Sequence, residues 1–256
     1  MNNSPIGIFD SGIGGITIFN SIKKLLPKEN IIYFSDNLNS PYGNKPIETI
    51  QKLSYNNAQW LLEKGCKLIV VACNTATTNS ISNLRDKFNL PFVGIEPAIK
   101  PAAMKTKTGK IGVLATKGTL SSSLFNLTSA DHASNIEIIE KNGDGLVKLI
   151  ENGIFEGIEI ENLLHEYLDF MINKKIDHLV LGCTHYPFLN KVISKILPNS
   201  VKIIDSGEAV ARQTKALLIN NKIESNCKQG HYSFYYNGDS ATLNKVLNHK
   251  FELKRI

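Results

Sequence analysis

Short apolar runs alternate along this chain with longer stretches whose apolar residues recur every three or four positions. Residues 6–9, 31–35, 68–72 and 92–95 have the length and composition of buried strands. Between them lie two helical patterns. One follows the turn Asp10-Ser11-Gly12-Ile13-Gly14-Gly15 and stops at Pro27. The other covers residues 47–64, with Ile47, Ile50, Leu53, Leu61 and Leu62 predicted on a broad apolar face. The second half repeats the scheme, with strands at 110–115, 136–140, 179–181 and 201–204. A short helix is expected at 146–151. A longer one starts at Ile160, where Leu163, Leu164, Tyr167, Leu168 and Met171 keep helical spacing. Residues 207–220 and 241–247 read as helices around a strand at 232–236.

Regular strand–helix alternation predicts an α/β fold with mostly parallel sheets and helices on both faces. Ligands in such folds bind beyond the carboxyl ends of the strands. Two runs look like copies of one device: Ile69-Val70-Val71-Ala72-Cys73-Asn74-Thr75 and Leu179-Val180-Leu181-Gly182-Cys183-Thr184-His185. Each puts a cysteine where a strand ends and a helix can begin. The pairing predicts two similar lobes facing each other, with boundaries near Pro97-Ala98 and Asp205-Ser206. The polar turns after the strands, at Asp10-Ser11, Cys73-Asn74-Thr75, Thr116 and Cys183-Thr184-His185, would converge on one cleft.

A helix N-terminus favours a thiolate and binds carboxylates. Two opposed cysteines therefore supply two bases and two anion sites, which suits chemistry on both faces of a small substrate. Ser11, Asn74, Thr75, Thr116, Thr119 and Thr184 can orient a zwitterion by hydrogen bonds. The plainer readings remain open here: a cysteine after a buried strand as a packed small hydrophobe, Asp10 as a helix N-cap, and His185 as a structural hydrogen bonder rather than an acid–base group. Cys66 and Cys227 have no such context and read as structural. The glycine turn lacks the GxGxxG spacing of a dinucleotide site.

Composition narrows the classes. The chain has 256 residues, 42% of them hydrophobic and 20% charged, in the globular range. The amino-terminal residues show no basic cluster ahead of an apolar core, so the expected location is cytoplasmic. No apolar stretch approaches a membrane span. Four cysteines without a CxxC pair predict neither a disulfide framework nor a structural zinc site. The formal charge of +6 comes from scattered Lys and Arg, the pattern of a solvated basic surface rather than a nucleic-acid site.

Taken together, Phe9-Asp10-Ser11-Gly12-Ile13-Gly14-Gly15, Pro41-Tyr42-Gly43, Ala72-Cys73-Asn74-Thr75-Ala76, Gly94-Ile95-Glu96-Pro97 and Leu181-Gly182-Cys183-Thr184-His185-Tyr186-Pro187 resemble the glutamate racemases of the aspartate/glutamate racemase superfamily. The runs keep their order over about residues 6 to 210. The resemblance implies a cofactor-independent, metal-independent isomerase that interconverts L- and D-glutamate for peptidoglycan synthesis, and a homodimer. It implies two lobes, residues 1–97 plus 207–256 and residues 98–206, with the active site between them. Cys73 and Cys183 would be the bases for D- and L-glutamate, assisted by Asp10 and His185, with Glu151 as a looser match to a supporting carboxylate. Asp10, Ser11, Pro41, Tyr42, Gly43, Asn74, Thr75, Thr184 and His185 fall at substrate-binding positions. Alternatives are an aspartate or other amino-acid racemase, and a Cys–His hydrolase using Cys183 and His185, which leaves Cys73 without a role.

Overall fold

The computed structural model of the protein describes residues 2–133 and 135–256. Among the described residues ten strands appear in chain order: β1 Ile6–Asp10, β2 Ile31–Ser35, β3 Leu68–Val71, β4 Phe92–Gly94, β5 Lys110–Ala115, β6 Glu137–Asn142, β7 His178–Gly182, β8 Lys202–Ile204, β9 Tyr232–Tyr236 and β10 Leu253–Arg255. The helices are α1 Ile16–Leu25, α2 Ile47–Glu63, α3 Asn74–Lys87, α4 Ile99–Lys105, α5 Lys117–Leu120, α6 Ser123–His132, α7 Leu146–Glu151, α8 Ile158–Asn173, α9 Asn190–Ile196, α10 Gly207–Asn220 and α11 Ala241–Val246.

The strands form two separate sheets. One runs β10-β9-β2-β1-β3-β4 and the other β6-β5-β7-β8, with every pairing parallel. Within the first sheet, β2-β1-β3-β4 has the same order as the whole of the second. Each lobe therefore reverses strand order between its first and third strands, the place where open α/β sheets bind ligands. Cys73 follows the third strand of one sheet, and Cys183 the third strand of the other. The two cysteines occupy corresponding positions in the topology.

Both faces of the first sheet are covered, which explains why its strands are continuously apolar rather than alternating. Ile6 and Ile8 pack on the α1 side, while Phe9, Ile69 and Val71 pack on the α2 and α3 side. Gly7 admits Cys66 to this second layer: a Cβ at Gly7 would lie 2.9 Å from its sulfur. Cys66 is thus a packing residue, and burial pushes its thiol up to about 12.

Some local expectations need correction. Ile47 is 53% and Leu62 40% exposed. The buried face of α2 is instead Ile50, Ser54, Asn57, Ala58 and Leu61, a stripe from which Leu62 is rotated by one residue and which Ile47, at the first turn, overhangs. The polar turn expected at Thr116 is the N-cap of the one-turn helix α5. The boundary at Pro97-Ala98 leads directly into α4, which tolerates Pro101 because a first-turn residue has no intrahelical N–H bond to lose. Strand β10 was not foreseen at all. Among the described residues, no helix is long and apolar enough to cross a membrane.

Candidate active site

The carboxyl ends of β1, β3, β5 and β7 surround one small cavity. Its wall comprises Ser11, Pro41, Tyr42, Gly43, Cys73, Asn74, Thr75, Thr116, Val147, Cys183, Thr184 and His185. Eleven of these were sequence candidates. Val147 was not: its only signal is an apolar side chain one residue into the helix that follows Gly145, which reads as ordinary core. Asp10, Thr119 and Glu151 lie behind the wall, each bonded to a group that lines it.

Cys73 is the N-cap of α3. The Ala76 N–H donates to its sulfur at 3.4 Å, and Ser11 Oγ lies 3.6 Å away. Burial, reinforced by the neighbouring Asp10 carboxylate, nevertheless pushes the Cys73 thiol up to about 12. The helix terminus does not outweigh desolvation here, contrary to the sequence expectation, so Cys73 rests as a thiol. Asp10 ends β1. It accepts from Gly12 N at 2.9 Å and from Thr184 Oγ1, across the lobes, at 3.3 Å. Burial raises its carboxyl above the usual range, while His185 opposes and Glu151 reinforces that shift.

Cys183 has a different neighbour. His185 Nδ1 lies 3.7 Å from its sulfur, and His185 Nε2 lies 2.5 Å from Glu151 Oε1. Burial alone would lower the His185 pKa. Its bonds to Cys183 and Glu151, with the charge on Glu151, outweigh burial and hold the imidazole well above its ordinary value. Cys183 thus faces an imidazolium whose Nδ1 points at its sulfur.

Glycines let the lobes meet this closely. A Cβ on Gly12 would fall 1.8 Å from Glu151 Oε1, and one on Gly14 would fall 2.5 Å from His185 Nδ1. The glycine turn is therefore a contact surface for the opposite lobe. The same carboxylate oxygen of Glu151 accepts from Ile13 N at 2.8 Å. On the other rim, the Thr75, Thr116 and Thr119 hydroxyls form a triangle of 2.8–3.4 Å, and Gly118 N donates to Gly43 O at 2.9 Å. The two chain crossings between lobes are tied together where Ser206 Oγ donates to Glu96 O.

Asn74 is buried in the wall, yet neither of its amide atoms has a hydrogen-bond partner among the described residues. Such a group costs stability unless something else satisfies it. The enclosed space is only about 10 Å3, roughly enough for one water.

The family model for Asp/Glu/hydantoin racemases matches residues 7–214. The chain is 41% identical over 247 residues to the glutamate racemase of Herpetosiphon aurantiacus, covering 96% of this chain and 97% of that one. A glutamate racemase isoform from Bacillus anthracis superposes with a TM-score of 0.92 at 30% identity, over 100% of this chain and 98% of the other. The Francisella tularensis glutamate racemase, solved in complex with D-glutamate, superposes with a TM-score of 0.87 at 32% identity, covering 100% and 98%. Matches that span both lobes, both cysteine turns and the glycine turn place the chain in a single group: it belongs to the Asp/Glu/hydantoin racemase family, on its glutamate racemase branch.

Proposed function

We propose that the protein interconverts L- and D-glutamate by a two-base reaction in which Cys73 and Cys183 serve opposite faces of the substrate Cα. The observation that carries this reading is the convergence of two buried thiols, one from each lobe, on one cavity, each with its own polar partners. Relatives over the full length are glutamate racemases, and one structural relative holds D-glutamate.

Cys183, beside the His185 imidazolium, takes the Cα proton of L-glutamate. Cys73, held protonated by burial and Asp10, returns a proton to the other face. The roles reverse for D-glutamate. An amino-acid Cα–H is a weaker acid than a thiol by a gap on the order of ten pKa units, about 14 kcal/mol. Backbone N–H groups at the α3 terminus, the free Asn74 amide and the hydroxyls of Ser11, Thr75, Thr116 and Thr184 supply preorganised dipoles for the substrate carboxylates. A cavity of about 10 Å3 cannot admit glutamate as it stands. The lobes must part for binding and close again for chemistry, which excludes water and strengthens every charge interaction inside.

The two lobes are residues 1–97 plus 207–256 and residues 98–206, a division supported by the packing of α10 on α1. The protein acts in the cytoplasm, where its product feeds peptidoglycan synthesis, and forms a homodimer. Helices α4 and α6 pack side by side and leave Met104 and Leu127 exposed, a surface that a second copy can cover.

The test is L-glutamate in D2O without added cofactor, followed by circular dichroism and by the Cα proton signal. D-glutamate carrying deuterium is expected, and is expected to vanish in both Cys73→Ala and Cys183→Ala. Absence of exchange on glutamate in the folded, reduced protein would sink the assignment. Exchange on aspartate instead would move the substrate and keep the mechanism.

A further inference from the structure

Asp36 follows β2 and is 1% exposed, yet no ion pair among the described residues includes it. Four side chains donate to its carboxylate instead. Tyr42 Oη and Asn57 Nδ2 approach Oδ2, the latter at 3.4 Å. Asn39 Nδ2 reaches Oδ1 at 2.8 Å, and Asn237 Nδ2 reaches it at 2.5 Å. A buried carboxylate without a cation is an expensive way to hold a fold. What it holds is informative. Tyr42 lines the reaction cavity, and the next residue, Gly43, meets Gly118 of the opposite lobe. Asn57 also donates to Tyr42 Oη at 3.1 Å, so the hydroxyl is fixed from two sides. Asn237 belongs to the C-terminal segment just after β9, and its own Oδ1 accepts from Leu38 N at 3.0 Å. The Asp36 N–H donates to Asp10 O at 3.0 Å, placing this cluster one main-chain bond from the catalytic turn.

We propose that Asp36 is a positioning residue for substrate binding: its carboxylate locks the cavity-wall loop 40–43 through Tyr42 and is itself locked by Asn237 of the C-terminal segment. The proposal rests on the racemase reading above. The locked loop presents its backbone to glutamate, while Cys73 and Cys183 are held by other elements. Loosening the lock therefore weakens binding and spares the proton transfers.

Kinetics of the full-length Asp36→Asn and Tyr42→Phe variants test this, with L-glutamate and the D2O readout. Asp36→Asn should raise KM at least tenfold with kcat within threefold. Tyr42→Phe should shift KM in the same direction, and the double variant should be no worse than Asp36→Asn alone, because both act on one lock. A folded Asp36→Asn protein with KM within twofold of the parent overturns the proposal. So does a loss confined to kcat, or additive effects in the double variant. If Asp36→Asn does not fold, Tyr42→Phe alone decides by its KM. Failure of the racemase reading is recognised separately, by absence of deuterium incorporation in the parent protein.

Discussion

Replacing Gly12 with alanine adds one methyl group at the tightest contact between the lobes. The new Cβ would sit 1.8 Å from Glu151 Oε1 and 2.5 Å from its Cδ, whereas real Cβ contacts stay beyond 3.0 Å. Either the carboxylate retreats from 1.8 to 3.0 Å, about 1.2 Å, or the lobes splay by a similar distance. Oε1 is also the acceptor for Ile13 N at 2.8 Å and for His185 Nε2 at 2.5 Å, so a shift of this size breaks or lengthens both bonds. Both are charge-assisted through the carboxylate acceptor, and the second also joins opposite charges. Together they are worth about 2–4 kcal/mol in the closed state. If that energy is expressed when the lobes close over substrate, kcat/KM falls by about 30- to 1,000-fold at 1.4 kcal/mol per decade. The folded core of each lobe is untouched, so the unfolding midpoint should change little. Racemisation followed by circular dichroism, with a thermal melt alongside, reads both quantities. A Gly12→Ala protein with kcat/KM within threefold of the parent would refute the claim that the glycine turn of the opposite lobe holds Glu151 where it arms His185.

Asp10→Asn should stabilise the protein at neutral pH while lowering activity. The Asp10 carboxyl is raised in the folded state, so folding is penalised above that raised value and unpenalised below the unfolded value near 3.8. The gain in Tm, a few degrees at pH 7, should disappear on acidification toward pH 4. A gain that persists there contradicts the assignment. Lys67 and Glu29 form a nearly fully buried ion pair of 2.7 Å far from the cavity. Lys67→Met should strand the Glu29 charge and cost about 3 kcal/mol, with Tm lower by roughly 6–12 °C and kcat unchanged. Asn74→Ala should leave Tm unchanged or slightly raised, since no protein partner is lost, and raise KM about tenfold or more. A destabilised variant with normal KM would contradict its role as a free donor to substrate.

Much of this was legible because strands buried on both faces are continuously apolar, and because each cysteine turn interrupts such a run. Those signals are local. Other features depend on partners distant in the chain. Ser54 and Asn57 break the apolar stripe of α2, and only the folded structure explains them, through Ser80 and through the Asp36–Tyr42 pair. Val147 looks like core in sequence and is a cavity wall in space. The thiol of Cys73 illustrates competing terms: a helix terminus is visible in sequence and favours the thiolate, but the degree of burial that overrides it is not. The glycine turn is visible in sequence, but the room it leaves for Glu151 and His185 depends on the opposite lobe.

The strand order of the larger sheet bears on how the chain is made. Strand β2 pairs with β1 on one side and with β9 on the other, although about 200 residues separate β2 from β9. The four strands of the smaller sheet, by contrast, lie within residues 110–204. During synthesis that sheet has all its strands while β2 still presents an open edge with unpaired backbone groups. The part that begins first finishes last. One side of the β2 backbone stays unpaired until β9 leaves the ribosome, the interval in which the nascent chain is most exposed to mispairing.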